Sequence, residues 1–304
     1  MADSPFSEPG VQFAWDSTSL GLFKECPRKY YYTMIEGWRK PGGNVHLEFG
    51  GLFHKALEMY DHMKVQGAAH PDALRHVVRY LLTETFVDGK PVDWGHNLKT
   101  RHTLIRSVIW YLDHYEHDRA ETVILDNGKP AVELSFRFDA GNSRLLCGHL
   151  DRVVEFQDSR FVMDRKTSSS TISSYYFDQY APDNQMSLYT MAGQIILQSP
   201  VRGVIIDAVQ IAVGFSRFER GFTYRTEAQV EEWLHDFHHW ADLANDYGTR
   251  SNKPDVRDFP MNDKSCHDYG GCPFRSICSS DPRVRQTFLE SNFIKQQWNP
   301  LEIR

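Results

Sequence analysis

The hydrophobic pattern changes period along the chain. After a Pro- and Gly-containing lead-in over 1–15, STSLGLFKECPRKYYYTMI (17–35) offers Ser17 or Thr18 as an N-cap, with Leu20, Phe23 and Tyr30 or Tyr31 at helical intervals. GWRKPGGN (37–44) breaks it as a linker. In LEFGGLFHKALEMYDHMKV (47–65), Phe49, Leu52, Phe53, Ala56, Leu57 and Tyr60 predict a helix with His54 and Glu58 one turn apart. Amphipathic helices are also expected over 71–86 and 98–118, and residues 58–125 read as a helical insertion. At 131 the period drops to two: AVELSFRFD (131–139), RLLCGHLDRVVEF (144–156) and RFVMDRKT (160–167), separated by AGNS and QDS, predict a three-strand meander. Residues 175–197 read as helical from about Pro182, 201–213 and 221–226 as strands, and 227–248 as a helix closed by Gly248. The tail 249–304 has loop-like composition. The expected class is α/β: a central mixed β-sheet flanked by helices, one domain over 1–304.

Composition narrows the function classes. Hydrophobic residues make up 41% and charged residues 24% of 304 positions, ordinary for a soluble globular protein. The balance of 34 basic and 40 acidic residues, 34 − 40 = −6, argues against a histone-like polycation but leaves room for a local basic groove. No apolar run approaches the roughly 18 residues of a membrane span, and no basic segment with an apolar stretch opens the chain, so neither a membrane protein nor a signal peptide is expected. A cytoplasmic location is expected, the host cytoplasm for a viral protein. Five cysteines are an odd number and argue against a disulfide framework. Cys266, Cys272 and Cys278 crowd the tail, and with Cys26 they make four thiols, the ligand count of a cubane iron–sulfur cluster or of a structural Zn2+. Such a set would clamp residue 26 to residues 266–278 across most of the chain. Cys147 reads as a small buried hydrophobe.

The chemistry concentrates in GHLDR (148–152) and DRKT (164–167). Asp164 and Lys166 are two apart in a strand and leave the same face, and an antiparallel turn at QDS would set Asp151 beside Asp164. Two carboxylates and the Arg165 main-chain carbonyl can hold one Mg2+ or Mn2+, with the ammonium alongside. That equipment suits phosphodiester hydrolysis, in which a cation offsets transition-state charge and acidifies water. The simpler reading is a pair of exposed acids in ordinary ion pairs with Arg152 and Lys166. The apolar flanks FVM and GHL argue instead for carboxylates emerging from buried strands, where a cation compensates their charge.

Four segments in order, GGLFHKALE (50–58), GHLDR, DRKT and QMSLY (185–189), resemble the PD-(D/E)XK nuclease superfamily in its RecB/AddB branch, which includes CRISPR-associated RecB-like exonucleases. The resemblance implies a restriction-endonuclease-like core, His54 as a metal ligand, Asp151 and Asp164 as metal-binding acids, and Lys166 as the catalytic lysine. It makes Gln185 and Tyr189 a Q-x-x-x-Y pair reaching the DNA backbone or the lysine, and gives Glu133 a supporting role. Cys26-Pro27 and Cys272-Pro273-Phe274-Arg275 resemble the staple of AddB-type nucleases, where one N-terminal and three C-terminal cysteines hold a 4Fe-4S cluster. The five-residue gap after Cys266 departs from the two-residue gap of many relatives, and Zn2+ is the alternative. In PRKYYY (27–32), Arg28 and Lys29 among tyrosines suit single-stranded DNA, with Tyr189 a further contact; the competing reading is a core aromatic stripe.

The function expected is a metal-dependent deoxyribonuclease, an exonuclease on single strands or DNA ends, serving repair, recombination or phage DNA processing. A structure-specific endonuclease, a catalytically silent iron–sulfur DNA-binding module and an electron-transfer protein are the alternatives. No G-x-x-x-x-G-K-[ST] loop is present, so unwinding would fall to a partner such as a helicase or recombination protein.

Overall fold

The computed structural model describes residues 4–302. In chain order its main elements are β1 (Ala14–Trp15), α1 (Ser17–Glu25), α2 (Val45–Val65), α3 (His70–Glu84), α4 (Arg101–His114), β2 (Val132–Gly141), β3 (Arg144–Phe156), β4 (Ser159–Ser168), α5 (Asn184–Leu197), β5 (Gly203–Ile211), β6 (Ser216–Tyr224), α6 (Glu227–Thr249) and α7 (Arg285–Asn292). The chain divides into two compact units, one of residues 43–134 and 149–230, the other of residues 1–42, 135–148 and 231–304.

The first of these units holds most of a mixed sheet in the order β6-β5-β4-β3, with the short strand Glu121–Thr122 on the far side of β3. β3 and β4 are antiparallel, β4 and β5 parallel, β5 and β6 antiparallel. Local chemistry explains the alternation. Gln157 and Asp158 adopt φ of 51° and 58°, the two left-handed residues of a tight hairpin whose twist matches the strands it joins. A parallel neighbour needs a long crossover, and α5 supplies it between β4 and β5. β5, GVIIDAVQI, is buried along its whole length, as a central strand covered on both faces must be.

Side-chain parity sorts the layers. Val209 and Ile211 pack under Phe49, Phe53 and Leu57 of α2, Val77 and Leu81 of α3, and Leu104 and Val108 of α4. The opposite face, which carries Val162, meets α5 at Gly193, where a Cβ would stand 2.8 Å from Val162 Cγ2. Helices thus flank both faces, as expected for an α/β protein. The segment expected as an insertion from residue 58 begins inside α2, which runs unbroken to Val65.

In the other unit β1 runs parallel to the start of β3, pairing Ala14 with Leu145. Its core is aromatic: Trp15 stacks on Tyr30 at 5.9 Å, and Phe23 meets Tyr30 edge-on at 5.3 Å. Two expectations are corrected here. The helix expected over 17–35 breaks at Cys26, which is extended (φ −162°, ψ 112°), because Pro27 disfavours helical geometry in the residue before it. The chain then resumes as Pro27–Tyr30 and the wider turns Tyr31–Ile35. The tail is not all loop: it contains Arg275–Ser279, α7 and the strand Ile294–Lys295, paired with Trp38–Arg39. No helix among the described residues is long and apolar enough to cross a membrane.

Candidate metal centre

The centre forms where β3 and β4 part. Their last ladder pair is Arg152–Met163, and beyond it the Arg165 amide donates not to backbone but to Asp151 Oδ2, at 2.8 Å. His54, on the sheet-facing side of α2, brings Nδ1 to 3.4 Å from the same oxygen. Glu133 joins them from the second residue of β2, at φ 48°, a left-handed conformation that side-chain-bearing residues rarely adopt. One ligand atom each from His54, Glu133 and Asp151 lie within 4.8 Å of one another, the one such group of three or more among the described residues.

Asp164 stands beside this group rather than in it. Lys166 Nζ lies 3.0 Å from Asp164 Oδ1 and 2.9 Å from Oδ2, and it also donates to Gln185 Oε1 at 2.8 Å. Gln185 Nε2 in turn donates to the Tyr189 hydroxyl at 3.0 Å. Gln185 and Tyr189 sit one turn apart on α5, whose start is set by the Asp183 side chain accepting from the Met186 amide. The sheet therefore offers Glu133, Asp151, Asp164 and Lys166, and the two helix layers supply an imidazole from one side and a carboxamide–phenol pair from the other.

Electrostatics separates the acids. Burial by itself would raise the Asp151 carboxyl, but His54, Lys166 and the Arg165 amide outweigh it and hold the pKa well below the usual range. Asp164 goes the other way, raised by burial and by the Asp151 charge, with Lys166 only partly offsetting them. Glu133 is pushed up to about 7 by burial and then by Asp151. Burial disfavours the His54 imidazolium, yet Asp151 and Glu133 together raise its pKa.

A hard divalent cation fits this donor set. Two carboxylates and an imidazole converge, and burial together with the Asp151 charge raises both Glu133 and Asp164, a cost that a cation would offset. The sequence model of the PD-(D/E)XK nuclease superfamily matches residues 15–279, most of the chain and all of these residues. The chain belongs to the PD-(D/E)XK nuclease superfamily. Its mixed sheet flanked by helices is the restriction-endonuclease-like core of that superfamily, whose members hydrolyse phosphodiester bonds with Mg2+ or Mn2+. Comparison with curated proteins finds no match.

The remaining singled-out residues lie in the other unit of this PD-(D/E)XK chain. Cys26 is buried, Cys266, Cys272 and Cys278 are half-buried, and all four are free thiols. The Asn262 amide donates to Cys26 Sγ at 3.3 Å. Burial pushes the Cys272 and Cys278 thiols up; Lys29 counters this at Cys272, and Arg28 and Arg285 counter it at Cys278. Arg28 and Lys29, expected on DNA, are engaged within their own unit: Arg28 Nε donates to the Phe259 carbonyl at 3.2 Å, and Lys29 pairs with Glu25 at 2.7 Å. Tyr30, Tyr31 and Tyr32 are buried, so the stacking surface expected of PRKYYY is corrected to a core aromatic stripe. Cys147 is buried, as read.

Sequence reasoning underweighted Glu133 and missed Asp61. Glu133 opens a strand with no motif around it, and only its left-handed backbone turns it to the centre. Asp61 lies seven residues after His54 on α2, an acid on a face otherwise made by Phe53, Ala56, Leu57 and Tyr60, and that interruption was the available signal. Its Oδ2 accepts from Arg165 Nη2 at 2.6 Å.

Proposed function

We propose that this PD-(D/E)XK nuclease is a deoxyribonuclease of the RecB/AddB type, acting as an exonuclease on single-stranded DNA or DNA ends. The reading rests on one observation: His54, Glu133 and Asp151 gather at the strand ends where Asp164, Lys166 and Gln185 form a continuous polar chain. His54, Glu133 and Asp151, with Asp164 and the Arg165 carbonyl beside them, would hold Mg2+ or Mn2+. A divalent cation there supplies Lewis acidity toward the phosphoryl oxygen and lowers the cost of deprotonating water.

The protein's own groups do the rest. Lys166 spends donors on Asp164 and Gln185 and keeps one N–H for water or a phosphoryl oxygen, so it orients the attack and counters developing negative charge. Gln185 holds the ammonium, and Tyr189 fixes the carboxamide so that its oxygen faces the lysine. The Arg165 amide locks Asp151.

The four cysteines are assigned to a 4Fe-4S cluster. The thiols are close enough to raise one another's pKa, and four of them make the ligand count of a cubane cluster. The cations Arg28, Lys29 and Arg285 nearby favour thiolate ligands. Repair, recombination or phage DNA processing, with a helicase or recombination protein supplying unwinding, is the setting such an enzyme would serve.

The decisive experiment incubates end-labelled linear and covalently closed circular DNA with the protein in Mg2+ or Mn2+, alongside Lys166→Ala. Loss of the linear substrate from its ends, sparing of the circle and no cleavage by the variant are expected. Cleaved circles would make the enzyme an endonuclease, and equal activity in both proteins would overturn the catalytic assignment.

A further inference from the structure

Lys99 stands immediately before Thr100, the N-cap of α4, and is buried to 3% exposure. Its ammonium meets one oxygen, Thr167 Oγ1 at 3.5 Å, and lies 5.3 Å from the centre of the Phe49 ring. No carboxylate among the described residues pairs with it, and burial, with no acid to offset it, lowers its pKa. The contrast within the same unit is sharp: Arg152, Arg165 and Arg220, also largely buried, each face an aspartate. An enclosed ammonium without a counter-anion is costly, and the arrival of an anion relieves that cost.

Space for the anion is present beside it. Gly50 lies on α2 one turn before His54, and a Cβ added there would meet only Thr167 Oγ1 at 3.9 Å; one added at Gly51 would meet nothing. Glycine is the least favourable residue for a helix interior after proline, and no neighbouring atom requires two of them here. The paired glycines leave bare helix surface next to Thr167. Gly50 precedes His54 by one turn of α2, so this open ground lies along the helix that carries the metal centre's imidazole. The loop bearing Lys99 is itself held: His96 Nδ1 accepts from the amides of Leu98 at 3.1 Å and Lys99 at 2.8 Å.

We propose that Lys99 and Thr167, opposite the bare α2 surface at Gly50–Gly51, form a subsite for a phosphodiester of the nucleic-acid substrate adjacent to the one being cut. The inference rests on the reading of the neighbouring centre as the nuclease site. The Lys99 ammonium and the Thr167 hydroxyl donate to non-bridging oxygens, which neutralises the buried charge and sets the register of the strand at the metal centre.

The test compares wild type with Lys99→Met and Lys99→Gln, which retain most of the buried stem. A fluorescent single-stranded oligodeoxynucleotide is titrated in Ca2+ across a salt series, and kcat, KM and Tm are measured in parallel in Mg2+. Both variants are expected to bind about 10-fold more weakly, with a log K against log[salt] slope shallower by about 0.7 for one lost phosphate contact. KM should rise more than kcat falls, and Tm should equal or exceed that of wild type, because an uncompensated buried charge has gone. Unchanged affinity and slope in folded variants overturn the subsite, as does a lowered Tm with the slope intact, which would make Lys99 a packing residue. A wild type that binds with a Lys99-dependent slope but cleaves nothing would uphold the subsite and sink the nuclease reading alone. A wild type that cleaves and binds like Lys99→Met would do the reverse.

Discussion

Replacing Asp61 by Asn tests how β4 is held. Arg165, Asp207 and Arg220 occupy successive cross-strand positions on β4, β5 and β6, on the sheet face beneath α2 and α4. Asp118 takes both Arg220 Nη atoms at 2.7 Å, and Arg152 lies 3.6 Å from Asp118 and 3.9 Å from Asp61. Three arginines and three aspartates thus balance inside the unit, and Asp61 is the direct partner of Arg165, which is only 3% exposed. Arg165 Nε and Nη1 already lack partners, so Asp61→Asn leaves the guanidinium with no nearby anion bonded to it. Breaking a buried pair from one side costs about 3–5 kcal/mol, a large part of the stability of an ordinary domain. At about 2–4 °C per kcal/mol, Tm should fall by about 6–20 °C. Thermal and urea unfolding followed by circular dichroism would measure it in wild type, Asp61→Asn, Arg165→Met and the double variant Asp61→Leu/Arg165→Met. The double variant removes both charges and should return to within about 1 kcal/mol of wild type. An Asp61→Asn protein as stable as wild type, or a double variant as weak as the two single losses added, would refute the reasoning.

Two further outcomes follow from the same electrostatics. Glu133 has its pKa raised to about 7 in the fold, above the unfolded value, so its contribution is complete below the unfolded pKa of about 4.3 and is lost as pH rises through 7. EDTA-treated wild type should therefore lose Tm relative to Glu133→Gln between pH 5 and pH 8, with Mn2+ restoring it; parallel Tm–pH curves for the two proteins would contradict this. Protein purified without oxygen should be brown with broad visible absorbance, and Cys266→Ala colourless and less stable by calorimetry; a colourless wild type of full stability would remove the cluster.

Much of the molecule is legible in local pattern because local pattern is what short-range sterics enforce. Period-two alternation and polar turns marked β2 to β4, whose connections are the two-residue left-handed turns Asn142–Ser143 and Gln157–Asp158. The same alternation put Asp164 and Lys166 on one face, and helical spacing put Gln185 above Tyr189. The break at Cys26 was also written locally, in the proline that follows it, although the helical run of apolar residues masked it.

What the chain's sequence determined by itself was which side chains share a face and where the backbone must turn. Tertiary structure alone decided that β3 and β4 separate after Arg152–Met163 so that Asp151 captures the Arg165 amide, that Glu133 swings into the centre, and that Asp61 crosses from α2 to Arg165. It also turned the tyrosines of PRKYYY inward and left Lys99 enclosed with no acid paired to it among the described residues. Those choices depend on the cost of burying charge and aromatic surface among residues distant in the chain, and no periodicity carries that cost.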